Sequence, residues 1–135
     1  MVPLLVTQPA SPQVDRWLHE DPALVIWTFT PVEIVSAIRR LVREGSLAEK
    51  LARRAEQRAA ELVQACHVVI DVEAAKARAT TLLRVHTLRA AAALQLAAAL
   101  EWAGGVPSGR VLHTYDVGLA KAASREGFEV RPEPD

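Results

Sequence analysis

The stretch LVIWTFTPVEIVSAIRRLVREG, residues 24–45, contains the two kinds of element that decide the fold, one directly after the other. Its opening, Leu24–Thr30, is apolar and rich in β-branched and aromatic residues, which is typical of a strand. Thr30 and Pro31 then match the N-cap and the first position of a helix, and Gly45 matches its end. The stretch therefore predicts a strand that leads straight into an amphipathic helix.

The same alternation continues along the rest of the chain. Three more segments are predicted as strands, at His67–Val72, Arg110–Asp116 and Phe128–Pro132. Further helices are predicted at Ser11–Asp21, Ser46–Ala65, Val72–Val85, Leu88–Trp102 and Val117–Arg125. Strands that alternate with helices predict an α/β fold with a mainly parallel sheet, and the length fits a single domain over residues 1–135.

Composition limits the classes of function. Half of the 135 residues are apolar and the formal net charge is zero, so nucleic acid would have to bind through a local patch. The single cysteine, Cys66, excludes a disulfide within the chain and a cysteine-rich zinc site. No targeting segment is recognised at the start, and the longest apolar run, residues 90–100, is too short to span a bilayer. We therefore expect a soluble, cytoplasmic protein with no membrane association.

Two acidic residues follow predicted strands, at the edge where parallel sheets bind their ligands. Glu33 lies shortly after the first strand, and Asp116 ends the third. Both have a purely structural alternative, because Thr30 to Glu33 has capping-box spacing and Asp116 can cap the helix that follows it. Taken alone, each residue fits a capping role better than a ligand site.

Three segments in order carry a resemblance to a known family: TPVEIVSAIRRLVREG, LRAAAALQLAAAL and HTYDVGLAKAASREGFEV. Together they resemble the PIN-domain family, and most closely the VapC-type toxin ribonucleases of VapBC toxin–antitoxin pairs. The resemblance implies a three-layer α/β/α sandwich with a mainly parallel sheet. It also implies carboxylates that hold Mg²⁺ or Mn²⁺, an RNA substrate, a cognate VapB-like antitoxin and assembly into a homo-oligomer.

Carried over residue by residue, the resemblance assigns catalytic and metal-binding roles to Glu33 and Asp116, with Thr114 assisting. The alanine-rich helix of the family has an aspartate in its first turn, and this chain has Ala92 there. The family's first aspartate lies on a strand before the segment that opens this chain, so we expect the sheet to lack that strand. With two of the four acids absent, the sequence predicts weak metal binding and little or no nuclease activity.

The absent acids have three possible origins: a natural degenerate toxin, a deliberately inactivated variant, and a true start that lies upstream. A competing hypothesis is a non-enzymatic α/β protein-interaction module, in which Glu33 and Asp116 only cap helices. A doubly wound nucleotide binder is a weaker third hypothesis, because the sequence has no glycine-rich phosphate loop.

Overall fold

A computed structural model describes residues 24–132 of the chain. The predicted helix at Ser11–Asp21 and the expected loss of the family's first strand both concern residues outside this range. In chain order the elements are β1 (Val25–Trp27), α1 (Thr30–Arg43), α2 (Glu49–Gln64), β2 (His67–Val69), α3 (Val72–Val85), α4 (Ala90–Trp102), β3 (Val111–His113), α5 (Val117–Glu126) and β4 (Glu129–Arg131).

The predicted three-layer α/β/α sandwich with a mainly parallel sheet is wrong. Most described residues are helical, and the strands form two separate two-stranded sheets, β1 with β2 and β3 with β4. Each strand has three residues, which corresponds to a length of only about 10 Å. Strands this short make few ladder hydrogen bonds and cannot form a layer for helices to cover. The apolar side chains pack between helices instead, α1 against α2 and α3 against α4.

The chain divides into two compact units, Met1–Val68 and Val69–Asp135. In the first unit, Ile34 and Ile38 of α1 pack on three small residues of α2. These three are buried alanines that recur every third or fourth residue along one face, Ala52, Ala55 and Ala59. Because alanine has no side chain beyond Cβ, the larger isoleucines fill the space between the two helices.

The turn between α1 and α2 is set by a glycine. Gly45 has φ +78°, in the left-handed region that favours glycine. The N–H of Gly45 donates to the carbonyl of Val42, and the N–H of Ser46 donates to the carbonyl of Leu41. These two bonds form the Schellman motif, which satisfies the last carbonyls of α1 and reverses the chain toward α2.

Arg39 of α1 joins the two helices of the first unit through charge. Its Nε lies 2.5 Å from Glu56 Oε1, and its Nη1 lies 2.7 Å from Glu49 Oε1. The hydrogen bond from Arg39 is the main reason why the pKa of Glu49 is lowered. The side chain of Arg39 therefore makes specific contacts with two carboxylates of α2.

This contact predicts how the first unit responds to acid. A carboxylate whose pKa is lowered on folding stabilises the fold above its ordinary pKa, and that contribution is lost as the pH falls through the lowered value. We expect the free energy of unfolding to fall as the pH drops below the ordinary value of 4.5 for Glu49. Glu49→Gln should show a smaller fall, in urea unfolding from neutral pH down to about pH 3. Identical pH profiles for the two chains would contradict this role.

The second unit packs α4 between α3 and α5. Leu96 and Ala97 of α4 are fully buried, and Leu82 of α3 and Leu119 of α5 are nearly so. Strands β3 and β4 pair in parallel, with Val111 opposite Glu129, Leu112 opposite Val130 and His113 opposite Arg131. This pairing brings the strand that follows α5 back beside β3.

Between residues 24 and 132, none of the helices combines the length and the apolar character needed to cross a bilayer.

Candidate functional site

Asp116 stands at the N-terminus of α5 and caps it. Its Oδ1 accepts a hydrogen bond of 2.9 Å from the backbone N–H of Leu119. The N–H of Asp116 donates to the hydroxyl of Thr114 at 3.0 Å, so Thr114 fixes the turn from which the carboxylate projects. The capping role anticipated from the sequence is confirmed, and the residue remains exposed to solvent.

The segment that precedes α4 lies near this carboxylate. A Cβ atom placed on Gly118 would lie 3.4 Å from Asp116 Oδ1 and 3.8 Å from the carbonyl oxygen of Thr87. Thr87 belongs to the short segment that leads into α4, so this segment passes near the start of α5. The N-terminus of α5 has a partial positive charge, which favours the acidic side chain of Asp116 there.

Ala92 occupies the third position of α4. It is 8 % exposed and brings no oxygen to the site. The first turn of α4 contains no acidic residue, and Arg89 at the N-cap makes no side-chain capping bond. An aspartate at position 92 would place a second carboxylate of the second unit in the first turn of α4.

Glu33 lies in the first turn of α1, in the other unit, and is half-buried. The indole Nε1 of Trp27 donates a long hydrogen bond of 3.5 Å to Glu33 Oε1. The predicted N-cap, Thr30, is instead the first helical residue, and Phe29 holds the cap position without a side-chain bond. The hydroxyl of Thr30 accepts a hydrogen bond from the N–H of Trp27, so it serves the strand-to-helix turn.

The side chains around Asp116 do not make a complete site for a divalent cation. Mg²⁺ requires a nearly octahedral set of oxygens, although water and substrate phosphate can supply several of them. Here Asp116 Oδ1 is already an acceptor in the helix cap, and Ala92 supplies no ligand. Over residues 24–132, no three side chains of His, Cys, Asp or Glu are grouped so that they could hold a metal ion.

Two substitutions at Asp116 separate its capping role from its charge. Asp116→Ala should destabilise the second unit by about 0.5–2 kcal/mol, because the N–H of Leu119 loses its acceptor. Asp116→Asn should restore most of that stability, since asparagine caps helices equally well, but it removes the charge. Thermal unfolding followed by circular dichroism compares the three chains, and a fully stable Asp116→Ala variant would show that the cap contributes nothing.

One buried polar contact of the second unit could not be predicted from the sequence. His86 follows α3, and its Nε2 lies 2.8 Å from Oε2 of Glu126 at the end of α5. The His86 side chain is almost fully buried, and among the described residues its Nδ1 has no hydrogen-bond partner. The two residues are forty positions apart in the chain, and no local pattern links them. Their contact ties the ends of α3 and α5 together.

Cys66 shows no feature of a nucleophile. Its Sγ lies 3.2 Å from the carbonyl oxygen of Leu62, and burial raises the pKa of the thiol. A thiol held in this state is a poor source of thiolate. Within residues 24–132, Cys66 therefore has a packing role.

The family resemblance rests on three motifs and on their order along the chain. The first contributes Glu33 to α1, the second contributes Ala92 to α4, and the third contributes Asp116 to the start of α5. The sequence matches no model of a known protein family, and no curated protein matches it.

Proposed function

We propose that this chain is a relative of the VapC-type toxin ribonucleases that retains binding functions and has lost efficient RNA cleavage. The observation that carries the proposal is Ala92, a buried alanine in the first turn of α4. In the family that the motifs resemble, an aspartate stands there. The proposal rests on the motifs and their local geometry, since the family's sandwich fold is not what this chain adopts.

The chemical consequence of the substitution follows from charge. Several clustered carboxylates hold a divalent cation because its charge offsets their mutual repulsion. A single exposed carboxylate holds Mg²⁺ or Mn²⁺ weakly, with water as most of the ligands. Without a firmly held cation, no water is activated at neutral pH for attack on a phosphodiester. We therefore expect weak cation binding and little or no hydrolysis.

The partners proposed for this function are RNA, a cognate VapB-like antitoxin and a second copy of the chain, all within the cytoplasm. An apolar depression on α1 supports the antitoxin. It has a volume of about 510 Å³ and is lined by Pro31, Val32, Val35 and Ser36. The exposed valines would give the apolar side chains of an antitoxin helix or tail a surface to cover.

An RNA cleavage assay with Mn²⁺ tests the proposal. The unaltered chain should cleave little or no RNA, and isothermal titration should show weak Mn²⁺ binding. Ala92→Asp should bind Mn²⁺ more tightly, whereas Ala92→Asn, which adds similar volume without charge, should not. Robust cleavage by the unaltered chain, abolished in Glu33→Gln, would refute the loss of activity.

The capping geometry of Asp116 favours a second candidate, a non-enzymatic interaction module without this ancestry. In that case Asp116 only completes α5, through the bond to the N–H of Leu119. The Mn²⁺ titration separates the two candidates: a module without a former acid site should gain no tighter cation binding from Ala92→Asp than from Ala92→Asn.

A further inference from the structure

The outward face of α2 carries a row of positive side chains. Lys50, Arg54 and Arg58 are spaced four residues apart and are all exposed. Their side chains are exposed, whereas the buried alanines of α2 form the face that packs on α1. We call these three residues the basic row.

The cations of the basic row are not held in ion pairs. Of the three carboxylates on α2, Glu49 and Glu56 are bound by Arg39 on α1, and Glu61 lies three residues after Arg58. Within residues 24–132, no carboxylate oxygen lies within 4.0 Å of the cationic groups of the basic row. An ordinary solvated helix face alternates charges of both signs, and its basic residues pair with acids one turn away. On this face of α2 the three cations outnumber the one acid, Glu61, and within residues 24–132 none of the three is paired with it.

The spacing of the row suits a chain of regularly placed anions. Residues four apart on a helix are separated by about 6 Å along its axis. Three cations therefore cover a line of about 12 Å. A single nucleic-acid strand carries one phosphate per nucleotide and is flexible enough to match this interval. Long lysine and arginine side chains allow the remaining adjustment.

The surroundings of the row favour phosphates over an acidic protein. Protein interfaces are built around apolar or aromatic anchors with a polar rim. The exposed neighbours of the row are polar Gln57 and Glu61 and one aliphatic residue, Leu51, so the row has no aromatic anchor beside it. A phosphate backbone needs only positive charge and hydrogen-bond donors. Because the whole chain has no net charge, such binding depends on this local row.

We propose that the basic row of α2 binds the phosphate backbone of single-stranded nucleic acid. The choice of RNA as its biological ligand rests on the proposed function, but the contact with phosphates does not. The row lies in the first unit, and its binding requires neither Asp116 nor a metal ion. An experiment can therefore find binding by the basic row in a chain that does not cleave RNA, and the two properties can be tested independently.

Fluorescence anisotropy with a labelled oligouridine of about 12 nucleotides tests the row. Three phosphate contacts on a single strand predict a slope of about −2 in log affinity against log salt, so affinity should fall about 20-fold between roughly 50 and 200 mM salt. The triple variant Lys50→Gln, Arg54→Gln, Arg58→Gln should bind at least tenfold more weakly at the lower salt. Its salt dependence should also nearly vanish. Glutamine is a good helix former, so α2 should persist.

A matched control removes three exposed cations from the second unit: Lys76→Gln, Arg84→Gln and Arg125→Gln. This variant has the same net charge as the first, and it should keep the affinity and salt slope of the unaltered chain. The proposal is overturned if the unaltered chain does not bind, or if both triple variants weaken binding equally. It is also overturned if polyglutamate displaces the RNA at lower concentration than oligothymidine does, since the row would then favour an acidic polypeptide.

Discussion

Ala98→Asp is expected to unfold the second unit, whereas Ala92→Asp is expected to leave it folded. Both positions lie on α4 and are buried, with exposures of 2 % and 8 %. Ala98 lies in the helix interior, where every backbone N–H already has a partner and a carboxylate would be buried without compensation. Ala98→Asp should lower the free energy of unfolding by about 3–5 kcal/mol, which is a large share of the stability of a small unit.

Ala92 differs because of its place in the helix. At the third position of α4 the backbone N–H groups have no intrahelical acceptor, and the helix dipole favours a negative charge by about 0.3–1 kcal/mol. An aspartate there can accept a bond from the free N–H groups, which offsets part of its burial. We expect Ala92→Asp to change the free energy of unfolding by less than about 1 kcal/mol.

Urea unfolding followed by circular dichroism compares these variants with Ala98→Ser. Serine adds a small hydroxyl that can bond to a carbonyl one turn back, so it controls for polarity without charge. If Ala92→Asp destabilises as strongly as Ala98→Asp, position 92 is an ordinary core alanine and cannot have held an acid in this fold. The relation to the toxin ribonucleases would then lose its main support.

Local sequence signals located the secondary structure well, because they act over a few residues. Each predicted strand segment contains an observed strand, and α5 begins after Asp116 and ends at Gly127, as its capping residues indicate. The strands proved shorter than predicted. The helix begins at Thr30, and β1 covers only Val25–Trp27.

The arrangement of the elements could not be read from the same signals. Alternation of strands and helices predicted one parallel sheet. Alternation does not determine how many residues of each strand take part in pairing. The alanine-rich segments decided the packing, because helices with small faces approach each other closely and bury their apolar area without a sheet. This applies to Ala52, Ala55 and Ala59 in α2.

The candidate site was predictable in part. Asp116 was found because an acid before a helix has a physical reason to be there, and Ala92 because the motif around it resembles a family that has an acid. His86 and Glu126 are a different case. Their contact depends on how α3 and α5 end in space, which no spacing in the sequence encodes. Arg39 belongs to the same class, since its partners lie on another helix.

Ile38→Ala should destabilise the first unit by about 2–5 kcal/mol. Ile38 is fully buried between α1 and α2, and the facing residues of α2 are alanines. Alanine side chains cannot extend into the space that the lost isoleucine atoms leave, so a cavity should persist and the effect should lie in the upper half of this range. Urea unfolding with circular dichroism measures the loss.

Val35→Ala on the same helix is the matched control. Val35 is 40 % exposed and lines the apolar depression on α1. Its truncation removes little buried surface and improves helix propensity, so the free energy of unfolding should change by less than about 0.5 kcal/mol. If Val35→Ala proved as damaging as Ile38→Ala, the depression would be filled by another part of the chain, and it could not receive an antitoxin.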